Sequence, residues 1–417
     1  MIPISDATLD QELCNTGHSL RWILKTLEKH CDDYVSTKGN SKVDEVDVNP
    51  ISEGKGYFSR VFIVKFTFDN DRSFNVALKV PTFDALENWI NTRKSSEAED
   101  PAFWKDYLTT CHNTECDALQ LISGFNNFPA PKTYFVQKRG VPYDNGLDKE
   151  PSGIIIMSAV DGVSLSEYSS ATKEQCISFV EDFAVFHDYI AQLDDKKWKD
   201  KFDSQINMGE HLRDAQISGL KRMADCCSEL KQDVEKLINM DYKTYSKYAL
   251  QTRAEQLNAT TLIHGDTWNN NIFFNRNPDG SIATKVLAYI DFQTLFEGSP
   301  MFDVARFVTI CADAEVRREV TPLFLEAYYK KIVSLYKKRG KQVPYTLENL
   351  QELYELAFAH QAQAMALMAM FFSEDTTVDK DVAEARKDKI NLRTKFALQD
   401  SIKILKNRNL TNFFNKL

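Results

Sequence analysis

The chain has 417 residues, of which 43% are hydrophobic and 12% aromatic, so it can bury a substantial core. Its formal net charge of −9 argues against a nucleic-acid-binding surface. No apolar run reaches membrane-spanning length, and the start lacks the basic and apolar regions of a signal peptide. The eight cysteines are scattered without the spacing of a zinc site or a disulfide framework. The composition therefore predicts a soluble, cytoplasmic protein with reduced thiols, and it leaves the oligomeric state open.

The predicted elements begin with a helix over residues 7–30, in which apolar side chains recur at helical spacing. From about residue 46 the pattern changes to strands. Residues 61–68 and 74–80 show the period-two alternation of two-faced strands, and Asp69-Asn70-Asp71 supplies the turn between them. The sequence thus predicts a β-rich region near the start of the chain.

A lysine on the second of these strands is a candidate for binding phosphate. Lys79 shares a strand face with the small Ala77, so a flat group could lie against Ala77 while the ammonium reaches phosphates beyond it. In the turn before the strands, Gly54 and Gly56 could bring backbone amides to the same phosphates because no Cβ intervenes. Protein kinases hold ATP in this way. However, Ser59 replaces the third glycine of their loop, and an ordinary hairpin turn beside an exposed lysine explains the same residues.

Further along the chain, the pattern is mostly helical. Residues 83–121, the segment from 172 to 187 and the span from 314 to the end are predicted to be helical, and two or more charged helices are expected between residues 188 and 260. Two short strands interrupt this pattern, at residues 133–137 and 153–157.

A predicted hairpin near residue 280 carries the most informative polar residues. Residues 272–274 and 286–290 are predicted strands, and the residues Asn277-Pro278-Asp279-Gly280 are typical of a tight turn between them. Such a hairpin would place Asn271, where one strand begins, beside Asp291, where the other ends.

The residues at this end of the hairpin suit phosphoryl transfer. A carboxylate from Asp291 and an amide oxygen from Asn271 are the kind of hard ligands that Mg²⁺ binds. Asp266 precedes Asn271 by five residues and could accept a proton from an attacking hydroxyl. The alternative is a buried hairpin whose Asn and Asp side chains only cap turns.

The motif His264-Gly-Asp-x-Trp-x-x-Asn-Ile-x-Phe, followed by Ile290-Asp-Phe-Gln, resembles that of the ecdysteroid-kinase-like (CHK) proteins. The resemblance is strongest to a large, mostly uncharacterised nematode branch and covers about residues 45–400. Those proteins are similar to choline kinases and aminoglycoside phosphotransferases, which share the protein-kinase fold. The motif residues are most specific from 261 to 307.

The resemblance implies an α+β, protein-kinase-like bilobal fold. Residues 1–157 would form a small β-rich N-lobe with the N-terminal helix, the glycine-bearing loop and the nucleotide lysine. Residues 158–417 would form a large, mainly helical C-lobe with the catalytic loop and the metal-binding aspartate. The segment of Met157, Ser158 and Val160 would link the lobes, and its backbone would hydrogen-bond the adenine edge.

The resemblance also implies roles for several acidic residues. Glu115 would pair with Lys79 and hold it against the α- and β-phosphates. Glu99 and Asp117 are rivals for that role, and a solvated surface acid is the simpler interpretation of each. Asp303 would accept backbone N–H groups of the catalytic loop.

The activity implied is ATP-dependent phosphoryl transfer to a hydroxyl of a small molecule, with ATP and Mg²⁺ as cofactors. Asp266 would act as the base, and Asn271 and Asp291 would hold the metal. The helices expected between residues 188 and 260 favour a small acceptor, which could be sterol- or ecdysteroid-like, choline-like or a glycoside. A non-catalytic nucleotide-binding protein on the same fold is the alternative, and a protein kinase is disfavoured because no activation segment follows Asp291.

Overall fold

The computed structural model describes residues 2–51, 59–83, 101–148, 152–202, 212–372 and 377–413. The chain forms two compact units, the first built from residues 1–124 and 131–161 and the second from residues 125–130 and 162–417.

The first unit is built from α-helices and one antiparallel sheet. Its elements in chain order are β1 (Ile2–Pro3), α1 (Asp6–Leu9), α2 (Leu20–His30), α3 (Asp32–Lys38), β2 (Val43–Pro50), β3 (Ser59–Phe68), β4 (Ser73–Pro81), α4 (Pro101–Ile122), β5 (Thr133–Gln137) and β6 (Ile154–Ser158). The strands lie in the order β1-β2-β3-β4-β6-β5, and every neighbouring pair is antiparallel.

The N-terminal helix differs from its prediction. A single helix over residues 7–30 is wrong, because α1 ends at Leu9 and α2 begins at Leu20. Between them Cys14 and Asn15 have positive φ angles of 46° and 57°, which an α-helix does not contain. Ser19 then starts the second helix by accepting a hydrogen bond from the backbone N–H of Trp22.

The core of the first unit follows the predicted strand alternation. On β3 the side chains of residues 62, 64, 66 and 68 are all buried, and the same core takes in residues 76, 78 and 80 of β4. Apolar side chains of α2 and α3, including Leu27 and Tyr34, complete this core from one face of the sheet. The other face of β4, which carries Ala77 and Lys79, is also buried.

The second unit is mainly helical. Its elements in chain order are α5 (Lys173–Ile190), α6 (Arg213–Cys226), α7 (Lys231–Ile238), α8 (Tyr242–Lys247), α9 (Arg253–Gln256), β7 (Thr261–Ile263), β8 (Ile272–Arg276), β9 (Ile282–Tyr289), β10 (Phe296–Gly298), α10 (Phe302–Cys311), α11 (Ala314–Lys338), α12 (Leu347–Phe371) and α13 (Lys380–Asn407). Single helical turns are formed by Asp195–Lys197, Ser228–Leu230, Tyr248–Thr252, Asn269–Asn271, Phe292–Thr294 and Leu410–Phe413. The strands form two antiparallel pairs, β8 with β9 and β7 with β10.

Aromatic packing ties the hairpin β8–β9 to the helices of this unit. Tyr289 at the end of β9 packs edge-on against Phe179 and Phe183 of α5, with ring centroids 5.7 and 5.2 Å apart. Phe179 of α5 stacks on Phe307 of α10 at 4.2 Å. These buried rings hold the end of β9 and helix α10 against α5, and both elements lead to predicted site residues. Among the helices of the described ranges, none is long and apolar enough to cross a lipid bilayer.

Candidate active site

The predicted hairpin is present and brings its two polar ends together. Ile272 pairs with Tyr289 across β8 and β9, and the turn is closed by a hydrogen bond of 2.9 Å from the Gly280 N–H to the Asn277 carbonyl. Beyond the last strand pair, the N–H of Ile290 donates to the carbonyl of Asn271 at 3.0 Å. Asn271 and the residue after Ile290, Asp291, therefore lie at the same end of the hairpin.

The loop that enters the hairpin is held by a buried carboxylate. Asp303 accepts hydrogen bonds from the backbone N–H groups of His264 at 2.7 Å and Gly265 at 2.9 Å, which confirms its predicted contact with this loop. Gly265 has a φ of +87°, and a Cβ there would lie 2.2 Å from the Thr294 carbonyl oxygen. Burial raises the pKa of Asp303 to about 7, against the effect of the two N–H donors.

His264 links the loop to the hairpin. The Asp266 N–H donates to its Nδ1 at 3.2 Å, so Nε2 carries the proton and donates to the Ile290 carbonyl at 2.9 Å. Burial lowers the pKa of this imidazole, in keeping with a neutral ring. His264 therefore supports the loop through two hydrogen bonds.

Asp266 and Asn271 are in direct contact. The Asn271 amide nitrogen donates to both the main-chain oxygen and Oδ2 of Asp266, each at 2.9 Å. Both partners are acceptors, so the amide nitrogen must face them and the amide oxygen points to other surroundings. That orientation is the one that a cation ligand requires, since only the oxygen can bind a metal ion.

Asp291 has an uncommon backbone conformation. Its φ and ψ angles are 69° and 64°, in the left-handed region that residues other than glycine seldom adopt. The Gln293 side chain donates to its Oδ2 at 3.2 Å. Non-glycine residues in this region cluster at functional sites, so the conformation supports a functional role for Asp291.

Arg306 is a site residue that sequence reasoning missed. From α10 its Nε and Nη2 donate to Oδ1 of Asp266 at 3.1 and 2.6 Å. The available signal was its position three residues after Asp303, because residues i and i+3 share one face of a helix. Asp303 therefore holds the loop backbone, and Arg306 holds the loop carboxylate.

In the first unit, Lys79 contacts Glu115. The ammonium lies 2.6 Å from the Glu115 carboxylate, and the exposed fractions of the two side chains are 6% and 2%. Of the two rivals, Asp117 pairs instead with Lys138 at 2.7 Å. The other, Glu99, lies outside the described residues.

The remaining predicted nucleotide residues are distributed as follows. Ala77 pairs with Met157 across β4 and β6, and both are buried. The N–H of Ser158 donates to the Lys132 carbonyl at 2.9 Å, so that donor is already used, while Val160 follows the strand in a half-buried position. Gly54 and Gly56 lie outside the described residues. Within the described ranges, no three His, Cys, Asp or Glu side chains gather into a metal-binding group.

Comparison with known proteins identifies the family. A family model described as "DUF1679: Uncharacterized oxidoreductase dhs-27" matches residues 24–409. The chain belongs to this family. It is 25% identical over 350 residues to the Caenorhabditis elegans protein "Uncharacterized oxidoreductase dhs-27", covering 79% of this chain. The chain spans 40% of the length of that relative.

A second relative carries a kinase-like name. The C. elegans "Uncharacterized kinase-like protein D1044.1" is 23% identical over 330 residues, which cover 76% of this chain and 81% of that protein. Among solved structures, choline kinase from Cryptosporidium parvum matches with a TM-score of 0.51 at 12% identity, over 94% of this chain and 97% of that chain. The predicted resemblance to nematode kinase-like proteins and the kinase-like fold, with a β-rich N-terminal part and a mainly helical C-terminal part, are confirmed.

Proposed function

We propose that this DUF1679 protein is an ATP-dependent phosphotransferase that acts on a hydroxyl of a small molecule. The observation that carries the proposal is the loop-and-hairpin site, in which Asp266 contacts Asn271 and Asp291 lies at the same hairpin end. Two carboxylates and one carboxamide at this spacing match what phosphoryl transfer needs.

Asp266 is assigned the role of the base. Its Oδ1 accepts from Arg306 and its Oδ2 from Asn271, and each carboxylate oxygen can accept a further hydrogen bond. An acceptor hydroxyl that bonds to either oxygen would be oriented for attack and could release its proton there. Most of the rate gain would come from this positioning, with a smaller share from proton transfer.

The donor atoms of the hairpin fit Mg²⁺. Asn271 turns its amide oxygen away from Asp266, and Asp291 adds a carboxylate. Mg²⁺ is bound through one or two such protein groups together with substrate phosphates, so Asn271 and Asp291 would hold it. When bound, the ion neutralises charge on the phosphates.

The nucleotide residues of the first unit are assigned by the same reasoning. The Lys79–Glu115 pair would brace the α- and β-phosphates, with Gly54 and Gly56 supplying backbone amides. The Ala77–Met157 strand pair would form part of the adenine pocket, and Ser158 and Val160 would follow it. We keep the division into an N-lobe of residues 1–157 and a C-lobe of residues 158–417 as part of this proposal.

The acceptor class is inferred from the helices between α5 and β7. Residues 191–260 contain α6 to α9, whereas protein kinases have only a short connection at this place. The extra helices favour a small-molecule acceptor that binds against them. Sterol- or ecdysteroid-like alcohols, choline-like alcohols and glycosides are the candidates. We place the activity in the cytoplasm because all eight cysteines are free thiols.

One observation favours a second candidate, a non-catalytic nucleotide-binding protein. Both carboxylate oxygens of Asp266 already accept hydrogen bonds, and Arg306 supplies the opposite charge. A carboxylate engaged in this way could serve the loop structure alone. The two candidates differ in one measurable property, the transfer of phosphate to an acceptor.

The deciding experiment incubates the protein with MgATP and a fractionated small-molecule extract, and detects products heavier by one phosphate by mass spectrometry. Asp266→Asn should retain MgATP binding within about threefold and lose transfer by on the order of 1,000-fold. Asp291→Ala should lose the Mg²⁺-dependent part of nucleotide binding. Asp279→Asn, in the exposed turn of the same hairpin, is the matched control and should change neither quantity. Unchanged transfer by Asp266→Asn would remove the assigned base.

A further inference from the structure

Arg306 is fixed on both sides. While Nε and Nη2 hold Asp266, its Nη1 donates to Oε1 of Gln361 on α12 at 3.2 Å. The Gln361 side chain is buried, with 2% of the residue exposed. The guanidinium is therefore held by hydrogen bonds to Asp266 on one side and to Gln361 on the other.

Behind Gln361 the hydrogen bonds continue through buried groups. The Gln361 amide nitrogen faces Nδ1 of His360 at 3.1 Å, and Nε2 of His360 faces the Tyr242 hydroxyl at 3.0 Å. The Gln216 side chain also donates to that hydroxyl, at 3.1 Å. Gln361, His360, Tyr242 and Gln216 are all buried, so each polar atom needs a protein partner.

The hydrogen bonds from Arg306 to Tyr242 can be assigned a donor and an acceptor at each step. Because the Gln361 oxygen accepts from Arg306, its nitrogen must be the donor to His360 Nδ1. His360 then carries its proton on Nε2 and donates it to Tyr242. Burial lowers the pKa of His360 to about 3, with the positive charges of Arg213 and Arg306 acting in the same direction, so the ring is neutral.

The far end of the chain is anchored in the helices that precede β7. Arg213 of α6 lies over the Tyr242 ring at 4.2 Å from its centroid. It also donates to the Leu237 carbonyl at 2.6 Å and to the Gln363 side chain at 3.1 Å. The polar chain from Asp266 thus ends on α6 and α8, both in the segment between residues 191 and 260.

We propose that Arg306 is a positioning residue for Asp266, and that the chain Arg306–Gln361–His360–Tyr242 lets helices α6 and α8 set the orientation of that carboxylate. The inference rests on the proposed function. Fully satisfied buried polar networks make a core rigid and specify one arrangement. A base must be held to a fraction of an ångström, since a displacement of about 1 Å can cost on the order of 100-fold in rate.

The test compares two tyrosines of α8. Tyr242→Phe removes the hydroxyl at the end of the chain, whereas Tyr245→Phe removes an equally buried hydroxyl that donates to the Leu356 carbonyl at 2.8 Å. With MgATP and water as the acceptor, Tyr242→Phe should lower kcat by on the order of tenfold and leave the KM for MgATP within about twofold. Tyr245→Phe should change neither value by more than about twofold. Arg306→Lys should retain more activity than Arg306→Met, because it restores a cation. Equal kcat values for the two tyrosine variants would overturn the proposal.

A second measurement needs no activity. The unfolding equilibrium constant in urea is compared for Tyr242→Phe, Arg306→Met and the double variant. For Tyr242→Phe with Arg306→Met, the change in this constant in the double variant should differ from the product of the two single changes by at least about twofold. For Tyr245→Phe with Arg306→Met, the double-variant change should equal that product. If the wild type neither binds nor hydrolyses MgATP, the proposed function fails. The coupling between Tyr242 and Arg306 in urea unfolding would still show whether the hydrogen-bond chain connects them. A double-variant change equal to the product of the Tyr242→Phe and Arg306→Met changes would show that the hydrogen-bond chain does not couple the two residues.

Discussion

Two ion pairs among the described candidate site residues, Lys79–Glu115 in the first unit and Arg306–Asp266 in the second, differ in their surroundings. Lys79–Glu115 and Arg306–Asp266 both have an N···O distance of 2.6 Å. The side chains of the first pair are 6% and 2% exposed, and those of the second are 15% and 21% exposed. The first pair is therefore part of a packed interior, while the second leaves its carboxylate accessible from solvent. Under the proposed function, the first pair would brace phosphates from a packed interior, and the second would hold a carboxylate that an acceptor can reach.

Breaking each pair in turn should separate these functions. Lys79→Met leaves the Glu115 carboxylate buried without its ammonium and should lower the free energy of unfolding by about 3–5 kcal/mol. Arg306→Met should cost less, because Asp266 keeps its contact with Asn271 and is partly hydrated. Urea unfolding at neutral pH measures both. The double variant Lys79→Met/Glu115→Leu should recover part of the loss, and a cost at Arg306 as large as that at Lys79 would contradict the comparison.

The parts of the site that lie close together in sequence could be predicted. The hairpin followed from two short apolar runs and the Asn277-Pro278-Asp279-Gly280 turn, and the relation of Asp266 to Asn271 followed from a spacing of five residues. The strand alternation around Lys79 was equally local. The first helix was mispredicted because apolar spacing was followed through residues 10–19, although Asn15 and Gly17 are typical of a turn.

The long-range contacts could not be predicted in the same way. Arg306 lies 40 residues from Asp266, and Tyr242 lies 118 residues from His360. An arginine, a tyrosine and an adjacent histidine and glutamine, spread over three helices, carry no shared local pattern. Their contacts arise only when α8, α10 and α12 pack, so the resemblance to a kinase family locates the loop but not the residues behind it.

A glycine in the loop offers a sharper test of how tightly the second unit holds Asp266. Gly265 and Gly280 have nearly equal φ angles, +87° and +85°, but a Cβ would meet the Thr294 carbonyl only at Gly265. Both alanine variants should pay the left-handed backbone cost of about 1–2 kcal/mol. Gly265→Ala should additionally displace the loop and reduce phosphoryl transfer by on the order of 100-fold. Unfolding in urea and the transfer assay together measure the difference, and comparable activity in the two variants would show that the loop is less constrained than its contacts indicate.

The buried Asp303 should give the pH dependence of the same loop. Its pKa is raised from 3.8 to about 7 by burial, so the folded state binds a proton more tightly than the unfolded state does. The stability from this group is fully present below about pH 4 and is lost as the pH rises through about 7. The difference in unfolding free energy between the wild type and Asp303→Asn should therefore shrink over that window, by at most about 1.4 kcal/mol per pH unit.

Asp279→Asn is the control of opposite sign, because hydrogen bonds from Ser281 lower the pKa of Asp279. Urea unfolding from pH 4.5 to pH 8 measures both differences, and a difference for Asp303→Asn that grows with pH would mean that the two backbone N–H donors outweigh burial and keep the carboxylate charged.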